Sequence, residues 1–292
     1  MEVNMQAKLA MIGGSGAYHL VQGQKGKILA SRRVNTPFGE AAPLHFAEME
    51  NGQPYVFMSR HGEDGYRITA PFINYRANIW ALKEVGVERI IAWSGPGAIN
   101  PKYEPGQYVI PDDLIDMTKN RPQTFFERKG LGFIRQYPVF CQETVQAVAE
   151  VLGETDTFFH QGGTYVCTEG PRLETPAEIR FFKTIGADMV GMTLVPEGFL
   201  ARELEMCYAV IGYITNYAEG VRPMDYQPGI LFEGTLTESD CHKVESAVTG
   251  LSRLVPQMLN RLAAKERHCY CKEAMLRYKK RGDIGSDWHQ WI

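Results

Sequence analysis

Two hydrophobic rhythms alternate along the chain. Runs rich in β-branched and aromatic residues at Lys8–Ile12, Tyr55–Ser59, Arg89–Trp93, Gln107–Ile110, Thr164–Cys167, Met189–Met192 and Cys207–Thr215 predict strands. Between them, apolar residues recur at three- and four-residue intervals with charges interleaved. This predicts helices over Asn74–Val85, Thr144–Leu152, Pro176–Ile185, Val195–Leu204 and Glu238–Ala264. Pro176 and Pro196 stand where a first helical turn tolerates proline, and Thr175 is placed to cap the former helix. The alternation implies an α/β sheet flanked by helices.

The strand at Lys8–Ile12 runs into Gly13-Gly14-Ser15-Gly16, a tight turn that lets backbone amides approach an anion closely. The block is not G-x-G-x-x-G, and no acidic partner follows about 20 residues on, so a dinucleotide site is not expected. Three further strand ends carry polar residues and glycine: Arg60-His61-Gly62, Ser94-Gly95-Pro96-Gly97 and Thr193. Taken singly, Arg60 reads as a surface ion-pair residue, His61 as a hydrogen-bonded loop residue and Ser94-Gly95 as a turn. Taken together, they sit at the ends of successive strands, where an α/β sheet forms its crevice. Guanidinium, imidazole, hydroxyl and amide groups collected there suit a phosphate dianion.

Composition narrows the class. The chain of 292 residues is 44% hydrophobic, enough for one large domain, and its net charge of -3 creates no field that gathers nucleic acid. A small-molecule partner is expected. The first ten residues lack the form of a secretory signal, and no window holds about 18 apolar residues in a row, so a cytoplasmic protein without membrane contact is expected. Six scattered cysteines suggest reduced thiols. Cys269-Tyr270-Cys271 is their one close pair. Without a second pair at zinc-finger spacing it makes a poor metal site and reads as incidental, so no metal is expected. Beyond Ala264 the composition turns basic and then aromatic, which divides the chain into a domain over 1–264 and a helical C-terminal extension over 265–292, with a solvated helix and a docked terminal Trp.

The blocks Thr168–Glu178, Gly191–Glu197 and Thr215–Gly220, joined by Arg60-His61-Gly62 and the segment Ile73–Glu84, resemble the trimeric purine nucleoside phosphorylase and methylthioadenosine phosphorylase family over roughly residues 8–260. The resemblance implies a single α/β domain with a mainly mixed central sheet. It implies phosphorolysis of a purine nucleoside, with inorganic phosphate as co-substrate and no organic cofactor or metal. Matching motif positions make Ser15, Arg60, His61, Ser94, Gly95 and Thr193 phosphate ligands. Asn216 and His61 become catalytic groups, and Leu173, Glu174, Met192, Asn216 and Ala218 contacts of the nucleoside. A homotrimer is implied, with sites near subunit borders and Phe133 as an aromatic that a neighbour contributes.

Two departures from the family pattern carry information. Members acting on adenine derivatives read Thr-Asp-x-Asp where this chain reads Thr215-Asn216-Tyr217-Ala218. An amide donates to a 6-oxo group or to N7, as an ionised carboxylate cannot. Glu174 stands where 6-oxopurine phosphorylases accept from the purine N1–H. Both point to a 6-oxopurine, and the overall motif similarity favours the methylthio branch, with S-methyl-5'-thioinosine ahead of inosine or guanosine and of methylthioadenosine. Val221, Met224, Tyr226, Ile230, Leu231 and Phe232 are apolar candidates for the 5' slot. The second departure is Glu63–Tyr66, where relatives place another His. It leaves one phosphate or ribose contact to Tyr66 or Arg67, or leaves a noncatalytic purine-binding homologue.

Overall fold

A computed structural model describes residues 5–14, 17, 28–49, 51–63, 65–223 and 227–292. Its strands, in chain order, are β1 (Leu9–Gly13), β2 (Ile28–Arg32), β3 (Asn35–Thr36), β4 (Gly39–Glu40), β5 (Leu44–Glu48), β6 (Pro54–Ser59), β7 (Arg89–Ser94), β8 (Gly97–Ala98), β9 (Tyr108–Ile110), β10 (Asp113–Met117), β11 (Phe159–Gln161), β12 (Thr164–Thr168), β13 (Met189–Gly191), β14 (Cys207–Tyr213) and β15 (Asn216–Tyr217). The helices are α1 (Tyr75–Glu84), α2 (Gln142–Gly153), α3 (Pro176–Thr184), α4 (Glu197–Glu203), α5 (Glu238–Ala263) and α6 (Leu276–Arg281).

Every residue of β1, β7 and β14 is buried, which is why these strands read as near-continuous apolar runs. They form the middle of a sheet ordered β11-β9-β14-β7-β1-β6-β5-β2. The four strands β14, β7, β1 and β6 run parallel, with Gly13 beside Ser59 and Gly212 beside Ser94. Antiparallel β9 and β5 border this block, so the sheet is mixed. A second sheet, β10-β12-β13-β8-β15, stands beyond the β7–β8 connection, with a small apolar cluster of its own that includes Val166, Ile179, Phe182 and Val190.

Local chemistry fixes the helices that border the crevice. Asn74 caps α1 by accepting from the Ala77 amide. Thr175 and Glu178 close a full capping box at the start of α3, with Pro176 in the first turn. The segment beyond Ala264 is no loose appendage. Met275, Tyr278, Ile284 and Trp291 belong to the main apolar core. Trp291 is 2% exposed and donates its indole N–H to the Gly285 carbonyl at 2.9 Å. Trp288 packs edge-on against Trp80 of α1 at 4.5 Å between ring centres. The boundary drawn at Ala264 marks the end of α5, while the core continues across it.

Candidate active site

The carboxyl ends of the four central parallel strands bring the expected segments together. After β1, Gly14 lies so close to its neighbours that a Cβ there would stand 2.7 Å from the Trp93 carbonyl oxygen and 3.1 Å from an Arg60 guanidinium nitrogen. Only glycine permits that approach. Arg60 follows β6, donates its amide to the Gly13 carbonyl at 3.2 Å, and is 1% exposed. Its guanidinium donates to the Trp93 carbonyl at 2.8 Å and grips Glu197 in a two-pronged pair at 2.9 and 2.6 Å. The Tyr208 hydroxyl donates to the same carboxylate at 2.7 Å. Burial opposes the Arg60 charge, and Glu197 more than offsets it, so the guanidinium pKa lies above its ordinary value. Three of the five guanidinium N–H groups are thereby occupied, and two have no partner among the described residues.

His61 is 1% exposed, and its Nδ1 lies 2.8 Å from the Ile68 carbonyl oxygen. A carbonyl only accepts, so Nδ1 carries the proton and Nε2 presents a lone pair. Burial, reinforced by Arg60, lowers its pKa to about 4. His61 is therefore a neutral acceptor near pH 7, suited to a protonated phosphate oxygen or a sugar hydroxyl rather than to an anionic oxygen. Tyr66 stacks over the ring at 4.1 Å between centres. This is what the Glu63–Tyr66 departure provides. Glu63 itself turns to a short contact with His45, whose other ring nitrogen meets Ser31 at 2.8 Å.

Ser94 ends β7 with its Oγ 3.1 Å from the hydroxyl of Tyr165, which is fully buried. The Tyr165 hydroxyl lies so near Gly191 that a Cβ there would come within 1.8 Å. Tyr165 thus couples Ser94 on the main sheet to Gly191, the end of β13, on the other. Gly95 is equally constrained, since a Cβ would stand 2.7 Å from the Thr215 methyl. Ser15 lies outside the described residues.

On the other wall, Glu174 is 9% exposed and accepts from the Thr168 hydroxyl at 2.6 Å; burial raises its pKa. Leu173 precedes it, half-buried. Met192 slides beneath Gly170, where a Cβ would stand 2.4 Å from its sulfur, and φ at Gly170 is +67°. Asn216 is half-buried in β15. Its Oδ1 accepts from the Thr215 hydroxyl at 2.6 Å and its Nδ2 donates to the Tyr217 carbonyl at 2.8 Å. These two bonds fix the amide orientation and leave one Nδ2 proton available. Ala218 follows directly on β15. Its methyl is buried in the small apolar cluster and its amide donates to the Ala98 carbonyl at 2.8 Å, so it holds β15 in place.

Sequence reading missed the residues that brace these groups. Besides Glu197 and Tyr165, Arg121 is 6% exposed and donates to the carbonyls of Met192, Val195, Thr168 and Glu169 at 2.7, 2.6, 3.2 and 2.7 Å. One side chain thereby clamps both base-side loops. No local pattern marks it, because Arg121 lies in irregular chain between Asn120 and Pro122. Glu197 had a signal, since it closes the quoted block Gly191–Glu197 without having been given a task.

Comparison with known proteins supplies the family. The sequence matches the phosphorylase superfamily over residues 8–237. The chain belongs to that family. It is 41% identical to a 6-oxopurine nucleoside phosphorylase of Pyrococcus furiosus across 275 residues, 92% of this chain and 97% of that one. It is 40% identical to a probable S-methyl-5'-thioinosine phosphorylase of Methanothermobacter thermautotrophicus, covering 77% of each chain. In three dimensions it superposes on a methylthioadenosine phosphorylase from an antarctic soil metagenomic library with a TM-score of 0.80, at 31% identity, covering 92% of this chain and 91% of that one. Family membership thus agrees with the mixed α/β fold and with an enzyme that transfers a glycosyl group to phosphate.

Proposed function

We propose that the protein cleaves the glycosidic bond of a 6-oxopurine nucleoside with inorganic phosphate, S-methyl-5'-thioinosine being the substrate that suits it best. Asn216 carries this reading. Its amide is oriented by Thr215 and Tyr217 so that one N–H is left to donate, to a 6-oxo group or to N7 as negative charge builds on the departing purine. Glu174, in a buried position beside Thr168, accepts from the purine N1–H. Phosphate sits between the spare Arg60 donors, the Ser94 and Thr193 hydroxyls and the Gly14 turn, and attacks the anomeric carbon as the bond to the base loosens. The electron pair of that bond leaves with the purine, and the products are free base and a sugar 1-phosphate. His61 accepts from a phosphate or ribose hydroxyl. Held donors, and no enzyme nucleophile, supply the rate.

The 5' preference rests on Ile230, Leu231 and Phe232, which are 40%, 55% and 43% exposed. Phe232 opens a short turn packed beside β15. Met224 and Tyr226 lie outside the described residues. The Pyrococcus furiosus relative, a 6-oxopurine nucleoside phosphorylase, favours a second reading, a general inosine/guanosine phosphorylase. The assembly belongs to the same proposal: a homotrimer in which Phe133, 83% exposed on the segment after Arg121, reaches a neighbouring site.

Phosphorolysis of methylthioinosine, inosine and methylthioadenosine, measured side by side with and without phosphate, tests the reading. Preference for methylthioinosine is the expected outcome, and equal use of inosine supports the second reading. Preference for methylthioadenosine overturns the role given to Asn216. Purine binding without turnover at high phosphate replaces the enzyme by a binding protein.

A further inference from the structure

The opposite end of the main sheet holds a cluster that phosphorolysis does not use. Cys141 stands at the N-terminus of α2, Cys207 opens β14, and Cys269 and Cys271 flank the turn that follows α5. All four are free thiols, and their sulfurs lie within 4.8 Å of one another. Cys141, Cys207 and Cys271 are buried and Cys269 is half-buried. The expectation that Cys269 and Cys271 are incidental for want of a second pair is thereby corrected, because the fold brings that pair from positions 141 and 207.

We propose that these four sulfurs form a closed tetrathiolate site for a zinc ion, which fastens the C-terminal segment to the sheet. A tetrahedron with Zn–S bonds of about 2.3 Å has S···S edges of about 3.8 Å. The observed separations bracket that edge: Cys207 and Cys269 are 3.2 Å apart and the widest pair is within 4.8 Å. Four soft donors without a carboxylate or open position describe a structural zinc site and disfavour magnesium or calcium. The surroundings suit the negative charge that such a centre carries. Arg267 donates its Nε to the Cys207 sulfur at 3.2 Å, while its other end is held by the Glu205 carbonyl. The Thr144 hydroxyl, fully buried and without a hydrogen-bond partner among the described residues, stands in the first turn of the helix that Cys141 caps, where a thiolate would accept from it. The site is remote from the crevice. Cys207 and Tyr213 are the two ends of β14, about 20 Å apart at about 3.3 Å per residue.

Elemental analysis of the full-length protein, purified without chelator, is expected to give about one zinc per chain. Cobalt added to the stripped, reduced protein should produce the absorption bands of tetrahedral thiolate-bound Co(II). The Cys269→Ser/Cys271→Ser variant is expected to lose the metal and to unfold about 5–10 °C lower. Cys241→Ser, which alters an exposed thiol outside the cluster, keeps both. If the double variant does not fold, cobalt uptake by the unaltered chain still decides the matter. Reduced protein that takes up neither ion overturns the proposal. So do isolated protein with these thiols paired as disulfides that shows no zinc site after reduction, and protein with iron in place of zinc.

Discussion

Strand β14 joins two ends of the molecule that treat their polar groups in opposite ways. At its carboxyl end the crevice groups are held but, among the described residues, not exhausted: Arg60 keeps two N–H groups, Asn216 keeps one, and His61 keeps a lone pair. At its amino end the four thiols face one another, with Arg267 and Thr144 around them. A group poised for a transient ligand needs unused capacity, whereas a fastening needs a complete set. Cys167 shows what a solitary thiol does in this protein. Fully buried behind the crevice, it is pushed up to about 12 by burial and stays an uncharged filler.

The contrast breaks first at Asn216. Asn216→Ala is expected to lower kcat by about a hundredfold or more, the scale of one lost donor to developing negative charge, with little change in unfolding midpoint. Unchanged turnover on every 6-oxopurine nucleoside removes the residue from this role. Glu197→Gln comes next. It leaves the Arg60 charge buried without its counter-charge, at a cost of about 3–5 kcal/mol in a chemical unfolding experiment. The freed guanidinium should also reorient, so KM for phosphate rises as well; a neutral effect on both would deny that Glu197 braces Arg60. Tyr165→Phe removes only the hydroxyl between Ser94 and Gly191. About 1 kcal/mol of stability should go with it, together with a severalfold rise in KM for phosphate and a smaller change in kcat. An effect confined to stability would make Tyr165 core filling alone.

How legible each end was follows from how it is encoded. The crevice groups follow immediately on buried parallel strands, so each apolar run points to its own site residue, and β1, β6, β7 and β14 were read within a residue or two of their ends. The strands β2 and β5 were missed because His45, Arg32 and Glu48 interrupt their apolar pattern, and β2 lies at the sheet edge with most of its residues open to solvent. Arg121 was missed because most of its hydrogen bonds go to backbone carbonyls, which leave no mark in a sequence. The thiol cluster was missed for a third reason. Its members are 66 and 62 residues apart before the final pair, and only the return of the C-terminal segment past the start of β14 brings them together. The Arg60–Glu197 pair likewise spans 137 residues, so the residues that brace the crevice are less legible than those that line it.

A pH series separates two histidines, one in the crevice and one on the docked tail. His61, with its pKa lowered to about 4 by burial, binds its proton less readily folded than unfolded. Its contribution to stability is complete above pH 6.5, the unfolded value, and is lost as the pH falls toward 4. His289, on the docked tail, has its pKa raised, chiefly by Glu84 and further by Asp287. Its contribution is complete below 6.5 and is lost as the pH rises through the folded value. Because the His289 side chain is about half exposed, solvent screens this pair and the effect is the weaker one. Urea unfolding of the wild type, His61→Asn and His289→Gln from pH 5 to 8 measures both. The gap between wild type and His289→Gln should close with rising pH, while wild type should gain on His61→Asn. Parallel trends would mean that the crevice histidine is wetter than its position beneath Tyr66 implies, and that its neutral form is not what the fold selects.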